Sequence, residues 1–105
     1  MNIRTISLLT GATGTGAGAA FGPFDSPSMT FQAVGTVSTS IGAATVKIQV
    51  SNDGTNWIDL GTITLTLATS ASSDGLSAFA AWAYVRANVT AISGTDATVT
   101  VTMGR

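Results

Sequence analysis

Four stretches of this chain alternate apolar with hydroxyl or polar residues at a period of two. Val46, Ile48 and Val50 alternate with Lys47, Gln49 and Ser51, and Ile63, Leu65 and Leu67 with Thr62, Thr64 and Thr66. Val85, Ala87 and Val89 alternate with Arg86, Asn88 and Thr90, and Val99, Val101 and Met103 with Thr98, Thr100 and Thr102. That period sends successive side chains to opposite faces of an extended strand, so each run has one face in a core and one Thr-rich face outward. β-branched Thr suits a pleated, half-buried surface. The same reading places a strand over about residues 28–37, carrying Met29, Phe31 and Ala33. It also places a first strand over residues 2–10 with Ile6 and Leu8 inward, and short strands at Trp57–Leu60 and Leu76–Ala80.

Turn chemistry separates the runs. Asn52-Asp53-Gly54-Thr55-Asn56 is a hairpin signal, because Gly54 accepts a positive φ at no steric cost. Asp74-Gly75 and Ser93-Gly94-Thr95-Asp96 read as turns on the same grounds. No helical period of useful length occurs. The Ala-rich run from Ala78 to Ala83 carries Phe79 and Trp82 but no caps. The pattern therefore predicts an all-β chain, an antiparallel β-sandwich or jelly roll of about seven or eight strands. At 105 residues it forms a single domain over 1–105. Several sandwich topologies share this pattern, so strand order stays open.

Residues 11–27 break the pattern. The segment is rich in Gly, Ala and Thr, then runs Phe21-Gly-Pro-Phe24-Asp-Ser-Pro27. It reads as a flexible Gly-rich arm or long loop, since Pro23 and Pro27 disfavour regular pairing. Phe21 and Phe24 are costly to leave in water, and two destinations fit them equally: the core, or a partner protein.

Composition removes several function classes. Only 9% of residues are charged, against roughly 25% in an average soluble domain. A surface with so few charges suits a protein whose faces are covered by neighbours, so an assembly is expected, the alternative being a monomer kept in solution by its Thr and Ser hydroxyls alone. The net charge is -1 and the four cations are Arg4, Lys47, Arg86 and Arg105, scattered singly. No basic patch follows, and no nucleic-acid partner is expected. No apolar run approaches the roughly 18 residues of a membrane helix, so no membrane partner is expected. The first residues faintly resemble a signal peptide, but Ser7, Thr10 and Gly11 cut the apolar run short, and no secretion signal is expected.

Catalytic equipment is sparse. The chain has no Cys, His or Glu, which removes disulfides and the commonest general base and metal ligand. Gly14-Thr-Gly16-Ala-Gly18-Ala19 satisfies the dinucleotide fingerprint formally, yet Phe21-Gly22-Pro23 follows where a phosphate-binding helix is required. Asn52, Asp53, Asn56 and Asp59 invite a calcium reading, but the spacing fails the EF-hand pattern and a turn explains them. Asn88-Val-Thr90 is a glycosylation sequon in mid-strand, better read as sheet. No enzymatic activity, cofactor or metal is expected. Trp57, Trp82 and Tyr84 remain as core or interface anchors, or alternatively as a sugar-stacking platform.

Two segments, in this order, carry a resemblance. Val46-Lys-Ile-Gln-Val-Ser-Asn-Asp-Gly-Thr-Asn-Trp57 and Ala83-Tyr-Val-Arg-Ala-Asn-Val89 resemble the strand-turn-Trp and Arg-Tyr-Val-Arg strands of discoidin-like jelly rolls. Together with the Thr/Val closing strand, they are also similar to small β-structured virion proteins of tailed bacteriophages. The second resemblance spans about Phe21 to Gly104 and fits the size better, since discoidin domains are longer and usually carry Cys. Ala83-Tyr84 stands where the Arg-Tyr pair is found, so one Arg is missing. The phage resemblance implies a capsid decoration (cement) protein, or a small tail or adaptor component, located in the virion. It implies a homo-oligomer, a trimer most often, seated on the major capsid protein or another virion protein. Phe21, Phe24, Trp57, Trp82 and Tyr84 are then the expected partner contacts. A carbohydrate-binding jelly roll, stacking a sugar on Trp57, Trp82 or Tyr84, is the alternative.

Overall fold

The computed structural model describes residues 5–22, 29–78 and 82–104. Eight strands follow in chain order: β1 (Thr5–Ala12), β2 (Gly16–Ala17), β3 (Met29–Thr36), β4 (Thr39–Ser51), β5 (Ile58–Leu67), β6 (Ser72–Ala78), β7 (Tyr84–Thr95) and β8 (Thr98–Gly104). No helix occurs among the described residues. The strands form two four-stranded sheets, ordered β1-β8-β3-β6 and β2-β7-β4-β5, in which every pairing is antiparallel. First pairs with last, second with seventh, third with sixth and fourth with fifth. That nesting is a long hairpin rolled up on itself, the jelly-roll order of two Greek keys. It settles the strand order that the alternation pattern leaves open.

The core lies between the sheets and follows the period of two. Val46, Ile48 and Val50 of β4, Ile63, Leu65 and Leu67 of β5, and Val85, Ala87 and Val89 of β7 face inward from one sheet. Met29, Phe31 and Ala33 of β3, Val99, Val101 and Met103 of β8, and Leu8 of β1 meet them from the other. Burying each large aliphatic side chain stabilises the fold by about 1.5–3 kcal/mol, which carries a chain without disulfides.

Three local readings change. Trp57–Leu60 and the run ending at Leu67 are not separate strands; residues 58–67 form one strand, β5. A register shift between Ile48↔Gly61 and Gln49↔Asp59 leaves Leu60 as an extra residue. That bulge reverses the phase of alternation, so one bulged strand looks like two. Asp74-Gly75 is not a turn. Both residues lie inside β6, opposite Ala33 and Gln32, and the Asp74 carboxylate accepts the Gly75 N–H at 2.8 Å. Here the sheet edge overrides local turn preference. Ser93, Gly94 and Thr95 likewise end β7, and the turn proper falls at Asp96, whose φ is 52°.

The Gly-rich segment, as far as Phe21, is laid along the sandwich. Gly16 and Ala17 pair with Val89 and Asn88, and Gly18 N–H donates to the Ala87 carbonyl at 2.8 Å. Residues that read as a chance dinucleotide fingerprint are thus an edge strand, and no helix follows them among the described residues.

Candidate functional site

One pole of the sandwich collects the aromatic side chains. Ser51 ends β4, residues 52–57 turn the hairpin, and Tyr84 opens β7 directly opposite Ser51. Phe21 arrives from the N-terminal segment and bridges Val85, with N–H···O bonds of 2.9 and 3.0 Å in both directions. Trp82, two residues before Tyr84, packs partly buried against the core, as does Phe21. The structure therefore brings Phe21, Trp57, Trp82 and Tyr84 onto segments that converge at this pole, while Phe24 lies outside the described residues.

The hairpin turn is cross-braced by its own side chains. Ser51, buried at 1% exposure, accepts hydrogen bonds at Oγ from the N–H groups of Asp53 (3.1 Å) and Gly54 (2.9 Å), and its hydroxyl meets Asp53 Oδ1 at 2.7 Å. The Asp53 carboxylate accepts the N–H of Thr55 (2.9 Å) and of Asn56 (2.8 Å), and the Asn56 side-chain amide at 2.8 Å. The Asn56 and Thr55 donors hold its carboxyl far below the usual carboxylate range. Gly54 supplies the left-handed φ of 75° the turn needs. All of Asp53's bonds serve the turn, as the turn reading of this segment expects.

Tyr84 sits in a slot lined by two glycines. A Cβ on Gly54 would lie 3.7 Å from the ring, and one on Gly22 would lie 3.0 Å from it and clash with the Ala83 carbonyl at 2.2 Å. Beside it runs a row across β5, β4 and β7 on the outer face of the same sheet. Lys47 Nζ meets Asp59 Oδ2 at 3.2 Å, and Gln49 Nε2 donates to Asp59 Oδ1 at 2.9 Å. Arg86 Nε donates to Gln49 Oε1 at 2.8 Å, and its guanidinium lies 4.5 Å from the centroid of the Trp57 ring. Stacking of this kind fixes both side chains. The Gln49 and Lys47 donors lower the Asp59 pKa.

Sequence reasoning named the aromatics and missed this row. Lys47, Gln49 and Arg86 are all outward residues of runs recognised as strands. Their union needs the register Gln49↔Asp59 and Gln49↔Arg86, which no local pattern carries. Ile41 is a second omission. It is 75% exposed beside Ser40, a non-glycine residue at a φ of 63°, where three β4 residues oppose a shorter stretch of β7. The other sheet bears a shallow cavity of about 320 Å³ lined by Thr5, Thr30, Phe31, Gln32, Thr102 and Gly104, none of them titratable. No cluster of three or more Asp, Glu, His or Cys side chains able to hold a metal occurs among the described residues.

No protein-family model matches the chain, and no curated protein matches its sequence. Solved structures do share its fold. The crystal structure of the SPBc2 prophage-derived protein YomS superposes with a TM-score of 0.64 at 13% identity, covering 98% of this chain and 91% of that one. The PBSX exported protein XepA gives 0.58 at 9% identity, over 98% of this chain and 36% of XepA. A CBM4 structure gives 0.52 at 15% identity, over 97% of this chain and 66% of that one. At these identities the likeness establishes a common β-sandwich fold.

Proposed function

We propose that this chain is a non-enzymatic phage virion protein that decorates the capsid and stabilises its lattice by binding. The carrying observation is the aromatic pole: Phe21, Trp57, Trp82 and Tyr84 converge there on rigid strands and a braced turn. Aromatic anchors with low conformational freedom are the usual source of interface energy. A fold shared with two prophage proteins supports the phage setting, and the near absence of charge supports a life among neighbours. Binding that favours the assembled capsid stabilises it by mass action, with no chemical step.

The test is add-back to particles of the encoding phage that lack the chain, followed by sedimentation and heating. Wild-type protein is expected to co-sediment with capsids and raise their disruption temperature, and Tyr84→Ala to stay in the supernatant. Binding confined to tails would move the chain to a tail or adaptor role. Failure to bind any particle component would overturn the proposal.

A second reading has one observation in its favour. Fixed planar polar side chains (Gln49, Asp59, Arg86) beside Trp57 and Tyr84 resemble the layout of a saccharide platform, and the CBM4 structure shares the fold. Against it, the Arg86 guanidinium already occupies one side of the Trp57 ring. Tryptophan fluorescence unmoved by a broad glycan panel would remove this reading.

A further inference from the structure

Two of the five aspartates precede a glycine, and the structure treats the two pairs in opposite ways. An Asp-Gly pair is open to self-attack because no Cβ screens the glycine amide. At Asp53-Gly54 each reacting group is engaged elsewhere. Gly54 N–H donates to the Oγ of the buried Ser51 at 2.9 Å. The Asp53 carboxylate accepts the N–H groups of Thr55 and Asn56 and the Asn56 amide, at 2.9, 2.8 and 2.8 Å. At Asp74-Gly75 the same groups face each other, with Gly75 N–H donating to Asp74 Oδ1 at 2.8 Å. Both residues are exposed, and β6 is the edge of its sheet, paired on one side only, with β3. Glycine is required there, since a Cβ at position 75 would strike the Phe31 carbonyl.

We infer that Asp74-Gly75 is a site of spontaneous isomerisation to isoaspartate in the folded protein, and that Asp53-Gly54 is protected from it. An N–H aimed at the carboxylate leaves the nitrogen's electron pair, once the proton is gone, directed toward the Asp74 carboxyl group. The nitrogen bonds to Cγ, the amide proton and the carboxyl hydroxyl leave as water, and a succinimide ring closes. Water then adds to one of the two ring carbonyls. Breaking the new Cγ–N bond restores Asp74, whereas breaking the original peptide bond leaves the chain running through Cγ. Atoms balance over the cycle, and water is the only co-reactant. Closure requires a brief departure from extended backbone, which an edge strand makes at lower free energy than a core strand. The product lengthens β6 by one methylene between the positions facing Ala33 and Gln32. Leu76 follows directly and lies over Gly61 of β5, so the modification disturbs a contact between the two sheets.

The experiment uses the purified wild-type protein. It is incubated near neutral pH in water enriched in oxygen-18, digested and mapped by mass spectrometry. Each passage through the succinimide and back introduces one heavy oxygen, and electron-based fragmentation separates isoaspartate from aspartate. The rate at each site is divided by its rate in guanidinium chloride, which removes the intrinsic difference between the two sequences. The normalised rate at Asp74 is expected to exceed that at Asp53 by about tenfold or more, since attack at Asp53 must first break the bonds to Ser51, Thr55 and Asn56. Equal normalised rates, a faster reaction at Asp53, or no heavy oxygen at Asp74 in the folded protein would overturn the inference. No particle enters the measurement, so its result stands apart from the proposed capsid binding.

Discussion

The two sheets share one core and present opposite exteriors. The strands of the β1-β8-β3-β6 sheet contain a single charged residue, Asp74, and their outward positions are mainly Thr, Ser, Gln and Gly. The β2-β7-β4-β5 sheet carries Lys47, Asp59 and Arg86 joined through Gln49, and Tyr84, Trp57, Trp82 and Phe21 gather at its end. Inside, the sheets are equivalent, each supplying a row of Val, Leu, Ile or Met at nearly zero exposure. Stability is therefore shared between them, while the proposed function assigns recognition to one. The hydroxyl face meets solvent through neutral groups. On the aromatic face Trp57 and the Lys47–Asp59–Gln49–Arg86 row are held in place by bonds within the chain itself, which on the proposed function pre-organises it.

Substitutions separate these roles. The largest effect is expected in the shared core, where Ile48→Ala and Val101→Ala each leave a cavity. Ile48→Ala should cost about 2–5 kcal/mol in denaturant unfolding and Val101→Ala somewhat less, because fewer atoms are removed. Tyr84→Ala is expected to cost on the order of 2 kcal/mol or more of particle affinity, read by sedimentation. If it unfolds the protein instead, Tyr84 is core and the comparison breaks.

Asp53→Ala is expected to lower the thermal midpoint at neutral pH by loosening the hairpin. Asp53 has a depressed folded pKa, so its contribution is present above the ordinary carboxylate value of 3.8 and fades as pH falls toward the folded value. The gap between wild type and variant should therefore narrow in acid. A gap that widens there would contradict the bonding described. The smallest contrast is between two glutamines. Gln49→Ala removes bonds to both Asp59 and Arg86 and should cost up to about 1 kcal/mol. Gln32→Ala, on the hydroxyl face, should fall within about 0.5 kcal/mol of wild type. Equal effects would erase the distinction between the faces.

The fold was largely legible because a half-buried strand writes its burial into a period of two. Val46-Ile48-Val50 and Val99-Val101-Met103 face inward as the alternation predicts. What misled were places where local chemistry and tertiary pairing disagree. Asp74-Gly75 has turn composition but satisfies an edge strand, and the Leu60 bulge splits one strand's pattern in two. The candidate site's aromatics could be named from the sequence because they are rare enough to count, and the Lys47–Asp59–Gln49–Arg86 row could not. That row depends on three strands meeting at one register. Cross-strand register arises from the whole sheet, not from any segment of it.

Hydroxyl-radical footprinting of the chain, free and bound to particles, tests the central claim most directly. Mass spectrometry reads oxidation at each side chain. The account predicts that Trp57 and Tyr84 become protected on binding while Val34 and its neighbours on the hydroxyl face keep their free-state rates. Unchanged oxidation of Trp57 and Tyr84, with protection on the hydroxyl face, would contradict it.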